Sequence, residues 1–380
     1  MDTVLSQMIE RVRDAAAHRA PLRIRGGASK DFHGGAPLHG EVLDTRAYTG
    51  ILSYEPSELV VTVRAGTPLH ALEAVLAQQH QCLPFEPPHF GPGATVGGMV
   101  AAGLSGPARA SVGAVRDYVL GVVLVNGRAE RLTFGGQVIK NVAGYDVSRL
   151  MVGAWGTLGL IAEVSLKVLP VAPAEATLRF GCDQAQALHR LHTWGAQPLP
   201  LNASCWVPDA AGAGAGAAGA GTLYVRLRGA VAAVEAACRT LGGERLDNAA
   251  AAAHWAACRE QQLPWFAARA QQPGLDVWRL SLPATAPVLA LPAGVAPPLI
   301  EWHGALRWVQ AGREHAAALH AAATQVGGSA SLFIAGGAGP ASAGGHFDPI
   351  SAAQRRIHER LAHSFDPAGI FNPGRMAWQR

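Results

Sequence analysis

Three glycine-rich segments carry the residue types that could hold an anion. The first is IRGGASKDFHGG, 24–35, where successive N–H groups of Arg25, Gly26, Gly27, Ala28 and Ser29 could form an anion nest with Lys30 beside it. The second is GPGATVGGMVAAGLSGP, 91–107, in which glycines precede and enter a short apolar run, Val96–Ala102. Glycine lets backbone approach a ligand, and the start of a helix favours negative charge. The third is GAWGTLGLI, 153–161, with glycine turns between a helical and an extended stretch. Taken alone, the second reads more readily as a glycine-rich surface loop. Three together point to a long ligand with a diphosphate at its centre. The spacing excludes two common phosphate sites. No GxxxxGK[ST] occurs, and Gly91-Pro92-Gly93 is followed by no GxxG spacing, so a dinucleotide fingerprint of the Rossmann type is not present.

Regular elements must carry these loops. MDTVLSQMIERVRDAAAHRA has acids and an amphipathic spacing (Val4, Met8, Val12), which predicts a helix and not a signal peptide. PLRIRGG and EVLDT predict short strands, and ELVVTVRAG (58–66) a buried one. TPLHALEAVLAQQHQ predicts a helix with Thr67 as N-cap, Pro68 in the first position, and Leu69, Leu72 and Leu76 on one face. YVLGVVLVNGRAERL (118–132) predicts a hairpin turning at Asn126-Gly127. VSRLMVGAW (147–155) predicts a helix and LGLIAEVSLKVLP (158–170) a long strand. From about 174 the chain alternates again: strands in ATLRF, NASCWVP, TLYVRLR, VWRLSL, ALRWVQ and SLFIAG, with alanine-rich helices between. That pattern predicts an α+β layer with helices on one face of a sheet. AAGAGAGAAGAGT, 210–222, reads as a flexible loop.

The 380 residues suffice for two or three domains, and 49% hydrophobic against 15% charged is a globular composition. A net charge of +4 with scattered arginines gives no support to nucleic-acid binding. The run 281–300 is uncharged, but five prolines interrupt it, so a rim segment is expected there and not a membrane span. Cys82, Cys182, Cys205, Cys238 and Cys258 are widely spaced with no CxxC pair. Neither a disulfide framework nor an iron–sulfur cluster follows; buried free thiols in a reducing compartment are expected. His33 and His39 lack a third ligand, and no metal is expected.

The order RGGAS, LDT, LVVTVRAG, ATVGGMVA, GYDVSRLMVGAWGTLGLI and EVSLKVLP resembles the FAD-binding domain of the vanillyl-alcohol oxidase (PCMH-type) flavoproteins. FDPAGIFNPGRM near the C-terminus is also typical of them. The resemblance covers about 21–170 and 346–380, and KNVAGYDVSRLMVGAWGTLG points within that family to its glycolate-oxidising branch. It implies an α+β chain: a PCMH-type two-subdomain FAD-binding domain over 1–172, a short α+β cap over 173–345, and a C-terminal helix and tail, 346–380, packing on the FAD domain. It implies FAD, with Arg25, Gly26, Gly27, Ala28, Ser29 and Lys30 at the pyrophosphate. Thr95, Gly97 and Gly98 would form a second phosphate loop whose helix offers a positive end. Pro88, Gly93 and Ala94 would lie along the flavin, Gly156, Gly159 and Ile161 would hold a ring system, and Asn372 would return the tail to the flavin edge. Relatives that attach flavin covalently place histidine where this chain has Ala28, so non-covalent FAD is expected.

The resemblance further implies a subunit of a complex that oxidises glycolate to glyoxylate. Its partners would be a paralogous catalytic flavin subunit and an iron–sulfur subunit, in the cytoplasm or peripheral on the inner membrane. One departure opens alternatives. Catalytic 2-hydroxy-acid members carry a GHxGDGNxH-type segment in the cap, and this sequence has none. The nearest features are Glu301-Trp302-His303 and His346. A non-catalytic FAD relay or scaffold, or an independent flavin oxidoreductase of another hydroxy acid or alcohol, stays open on that ground. No catalytic residue follows from the sequence. Arg109, Arg116 and Arg149 are unranked candidates for a carboxylate, Arg307 is as consistent with the surface as with a site, and Lys140 could face the flavin.

Overall fold

The computed structural model describes residues 2–34, 38–136, 145–209, 220–267, 269, 272, 274–336, 347 and 350–376. Lys140, His346 and most of the alanine-glycine loop at 210–222 lie outside them. The chain forms two compact units. The first comprises Met1–Ser105, Ala114–Val171 and Pro349–Arg380; the second comprises Gly106–Gly113 and Ala172–Asp348.

The first unit is built on a five-stranded antiparallel sheet ordered Ile51–Glu55, Val60–Arg64, Leu160–Lys167, Val119–Val125, Arg131–Gly135. Both faces of its centre are covered, which the alternation of one strand shows directly. Val122 and Leu124 enter one core with the helices Leu69–Gln78 and Val96–Ala102. Val123 and Val125 enter the other, with Leu5, Met8, Ile9 and Val12 of the helix Thr3–His18. Leu69, Leu72 and Leu76 are fully buried, as their spacing requires. Each contributes about 1.5–3 kcal/mol relative to exposure. The strands Leu22–Arg25 and Glu41–Asp44 pair in parallel, and the tail returns to the first of them. Leu22 donates to the Ile370 carbonyl at 2.7 Å, and Asn372 donates to the Leu22 carbonyl at 2.9 Å.

The second unit is an eight-stranded antiparallel sheet. Leu178, Phe180, Trp206, Leu223 and Val225 face the helices Gln184–Gly195 and Val231–Leu241. The expectation of helices on one face is corrected here. Thr177 points the other way and accepts a hydrogen bond from the Trp255 indole at 2.9 Å, so the helix Asn248–Arg259 covers the opposite face.

Local departures have simple causes. The helix after Val60–Arg64 begins at Leu69, with Pro68 in the cap position. Thr67 is drawn away because its hydroxyl accepts from Gly50 N at 2.9 Å. The hairpin loop runs from Asn126 to Glu130 and not over two residues, since Val125 pairs with Arg131. The Asn126 side chain bridges the wider loop by accepting from Arg128 N and Glu130 N. The helix expected over 147–155 is a single turn, Val147–Leu150, and turns follow it. Ile51–Glu55 and Leu299–Glu301 are strands that periodicity did not mark.

Candidate functional site

At its C-terminal end the strand Leu22–Arg25 runs into Gly26, and the backbone then turns sharply. Ala28 adopts a left-handed φ of 59°. Along this turn the amides of Gly26, Gly27, Ala28 and Ser29 donate to no described residue. Successive unpaired N–H groups of this kind are a concave anion site. The turn is held from behind by Gly93. A methyl group on Gly27 would sit 1.4 Å from the Gly93 carbonyl oxygen, so the two segments touch backbone to backbone.

These amides open into a cavity of about 770 Å³, counting its mouth. Arg25 to Lys30, Thr95, Gly97, Gly98, Gly156, Gly159, Ile161 and Asn372 all line it. Pro88, Gly93 and Ala94 do not. Gly93 acts instead through the Gly27 contact, and Ala94 is buried in the adjoining core.

The expected role of the helix start needs correction. Val96 N donates to Thr67 O, Gly97 N to Ala65 O at 2.7 Å, and Gly98 N to Thr95 Oγ1 at 3.2 Å. The first-turn amides are therefore spent on the protein. Gly97 is there for close packing, since a methyl group would lie 2.6 Å from the Ala65 side chain. Thr95, Gly97 and Gly98 supply a smooth wall, and the unpaired donors belong to the first segment.

Trp155, Arg375 and Asp31 also line the wall and had escaped sequence reasoning, although all three stand in motifs it had picked out. Trp155 lies in GAWGTLGLI and Arg375 in FNPGRM. The Arg375 guanidinium stacks over the Trp155 indole at 4.8 Å and donates to the Lys30 carbonyl at 2.8 Å. Burial lowers its pKa to about 10, which leaves it charged at neutral pH. Asp31 is the third; it pairs with Arg23 and Arg25 at the rim. Lys30 is buried, with Nζ 3.2 Å from the His89 carbonyl. The cavity thus joins a nest of amides, net positive charge and an aromatic wall. That set fits FAD: anion donors at the centre and flat apolar surface beside them. Among the described residues no histidine or cysteine lines it.

The comparisons with known proteins agree with this chemistry. Residues 4–149 match the family described as FAD binding domain. Over 369 residues the chain is 44% identical to the Escherichia coli K12 protein named glycolate oxidase subunit GlcE, covering 97% of this chain and 96% of that one. The chain belongs to the PCMH-type FAD-binding flavoproteins. A more distant member, glycolate oxidase subunit GlcD of Bacillus subtilis 168, is 32% identical over 163 residues, 42% of this chain and 34% of that protein. The fold is shared with an alkyldihydroxyacetonephosphate synthase structure at a TM-score of 0.64 and 15% identity, over 97% of this chain and 75% of that one.

This flavoprotein has a second polar cluster, wholly within the second unit. Trp302 and His303 are consecutive residues with left-handed φ of 53° and 55°. The Trp302 indole donates to the Gly106 carbonyl at 2.9 Å. Arg109 lies 4.4 Å from its ring centre and Arg279 5.2 Å, so two cations share one indole. Arg279 donates to no described residue, and burial, aided by the Arg109 charge, lowers its pKa to about 10. His303 meets Ser204 Oγ at 3.0 Å and Ser111 Oγ at 2.9 Å through its two ring nitrogens. Of the other arginines weighed from sequence, Arg116 is exposed and Arg149 pairs with Asp146 at 3.2 Å. Arg307 is not at the surface. It is fully buried and donates to the carbonyls of Ala286 and Pro287 at 2.6 Å each.

Proposed function

We propose that this chain is the FAD-binding subunit of a complex that oxidises glycolate to glyoxylate, with electrons leaving through flavin to a partner iron–sulfur subunit beside a paralogous flavin subunit. The observation that carries the reading is the run of unpaired amides from Gly26 to Ser29 opening into a cationic cavity, in a chain nearly half identical to a glycolate oxidase subunit along almost its whole length.

In this reading the four amides hold the pyrophosphate, with Lys30 and Arg375 balancing its charge. Trp155, Gly156, Gly159 and Ile161 bed a ring system, and Asn372 ties the tail to that end. When bound, FAD supplies an acceptor for the two electrons and hydride of alcohol oxidation. It is held without a covalent bond in this reading, which Ala28 at the first-loop position and the lack of a histidine or cysteine among the described lining residues support. Denaturing the holoprotein with acid should release all flavin into the supernatant.

One observation favours a substrate site on this chain. The pair Arg109 and Arg279 on Trp302 matches a small carboxylate. Another favours a relay role: the histidine segment of catalytic hydroxy-acid members is missing from the sequence. The anaerobic visible spectrum decides. Bleaching of this subunit's flavin by glycolate in the isolated chain supports direct oxidation. Bleaching only after the partner subunits are added supports the relay. A chain that takes up no FAD in either state would overturn the proposal.

A further inference from the structure

The sequence presents five scattered cysteines, but the fold brings two of them to one histidine. Cys205 lies on the strand Leu201–Pro208, on the face opposite the Trp206 core. His254 and Cys258 lie one turn apart on the helix Asn248–Arg259, which covers that face. The Sγ atoms of Cys205 and Cys258 and a ring nitrogen of His254 all fall within 4.8 Å of one another. The Cys258 Sγ to His254 Nε2 distance is 3.7 Å. A tetrahedral zinc with bonds of about 2.3 Å to sulfur and 2.0–2.1 Å to nitrogen needs its donors roughly 3.5–3.8 Å apart.

We infer that Cys205, His254 and Cys258 form a three-ligand site for a thiophilic cation of the zinc type, clipping the helix Asn248–Arg259 to the sheet. Three features beyond proximity support it. The ligand set is soft and mixed, two sulfurs and an imidazole, which suits zinc and disfavours calcium or magnesium. The imidazole is already oriented: its ring stacks on Tyr224 at 3.9 Å and stands edge-on to Trp255 at 5.2 Å. The charge also closes. Two thiolates and one divalent cation sum to zero, and a neutral assembly is the one a buried site tolerates.

Without a metal, burial holds both thiols protonated, Cys258 well above its ordinary range, and holds His254 neutral with a pKa lowered to about 4. Binding therefore breaks two S–H bonds, forms two metal–sulfur bonds and one metal–nitrogen bond, and releases two protons to solvent; no electron moves. The charged and titratable groups around the site are Glu301, cross-strand from Cys205, Arg226, and the Tyr224 phenol. Glu301 already accepts from the Trp308 indole at 2.6 Å. The fourth coordination position is left for water.

The test uses the full-length chain, purified reduced, stripped with a chelator and titrated with cobalt(II), then with zinc. The expected result is one equivalent of cobalt, with ligand-field bands at the red end of the visible, where oxidised flavin is transparent, and thiolate-to-metal charge transfer in the near ultraviolet read on the flavin-free chain, all displaced by zinc. His254→Phe keeps the ring stacked on Tyr224 but removes the nitrogen, and Cys258→Ala removes one sulfur. Each should weaken binding by more than about tenfold, because even outer partners of a metal site cost 10–100-fold. If the wild-type chain shows no such bands, the inference is wrong, whatever the variants do. It is equally wrong if the bands survive in both variants, or if the reduced thiols, exposed to air with the metal present, give up two electrons to oxygen and close a Cys205–Cys258 disulfide in preference to binding. None of these outcomes depends on FAD, so the site stands or falls apart from the proposed flavin chemistry.

Discussion

The side-chain amide of Asn372 donates to the Trp155 carbonyl at 2.8 Å. Its oxygen accepts from Ile24 N, also at 2.8 Å. One side chain thereby joins the tail, the strand that ends in the amide nest, and the turn that carries the aromatic wall. Asn372 has φ of 40°, a region asparagine tolerates better than most residues. Asn372→Asp is isosteric but puts a carboxylate oxygen against the Trp155 carbonyl. It should lose about 1–3 kcal/mol of stability, the cost of an unpaired buried group, and should weaken FAD binding more than Asn372→Ser. Thermal melts with and without added FAD measure both. Equal flavin affinity in the two variants would remove Asn372 from the site.

Two adjacent glycines make a sharper test. At Gly26 a methyl group would meet the Thr95 side chain, its Oγ1 at 2.3 Å. At Gly27 it would meet the Gly93 backbone. Gly26→Ala should therefore recover flavin when combined with Thr95→Ala, at a cost of about 1 kcal/mol for the lost helix cap. Gly27→Ala should lose flavin in every side-chain background, because nothing short of moving the backbone admits it. Bound FAD per chain, read from the visible spectrum, is the measurement.

How much of this was legible beforehand follows the range of the interactions. The nest could be read because its chemistry is local: six consecutive residues make the turn. The Leu69–Leu76 pattern could be read because burial imposes a period. The Thr67 cap misled because a partner seventeen positions away, Gly50, competes for the hydroxyl. The helix start at Val96 misled for the same reason, since Ala65 and Thr67 take its amides. Arg307 stayed open between surface and site because nothing in ALRWVQ shows that two carbonyls at 286 and 287 will enclose it. Cys205 and Cys258 are 53 positions apart, and only the sheet–helix packing makes them neighbours.

The His303 ring gives a pH prediction. Burial lowers its pKa from 6.5 to about 4. The unfolded chain takes up a proton near pH 6.5, whereas the folded chain resists until about 4. Its contribution is therefore fully present above pH 6.5 and is lost as pH falls toward 4, with a slope of up to about 1.4 kcal/mol per pH unit. His303→Asn should reduce the stability difference between pH 7 and pH 5 by about 2 kcal/mol. Chemical denaturation at the two pH values checks it. An unchanged difference would mean that the ring is protonated in the fold.

The arginine pair on Trp302 separates the two roles open to this subunit. If the substrate carboxylate lies between Arg109 and Arg279, Arg279→Met removes a charge-assisted hydrogen bond of about 1.5–3 kcal/mol. In the assembled complex KM for glycolate should then rise roughly 10- to 150-fold. Flavin content should hold, because none of the described residues lining the cavity proposed for FAD belongs to the second unit. Arg279→Lys should restore part of the affinity by keeping the charge but not the paired donors. If the subunit only relays electrons, neither substitution moves KM, and the substrate site belongs to the paralogous partner.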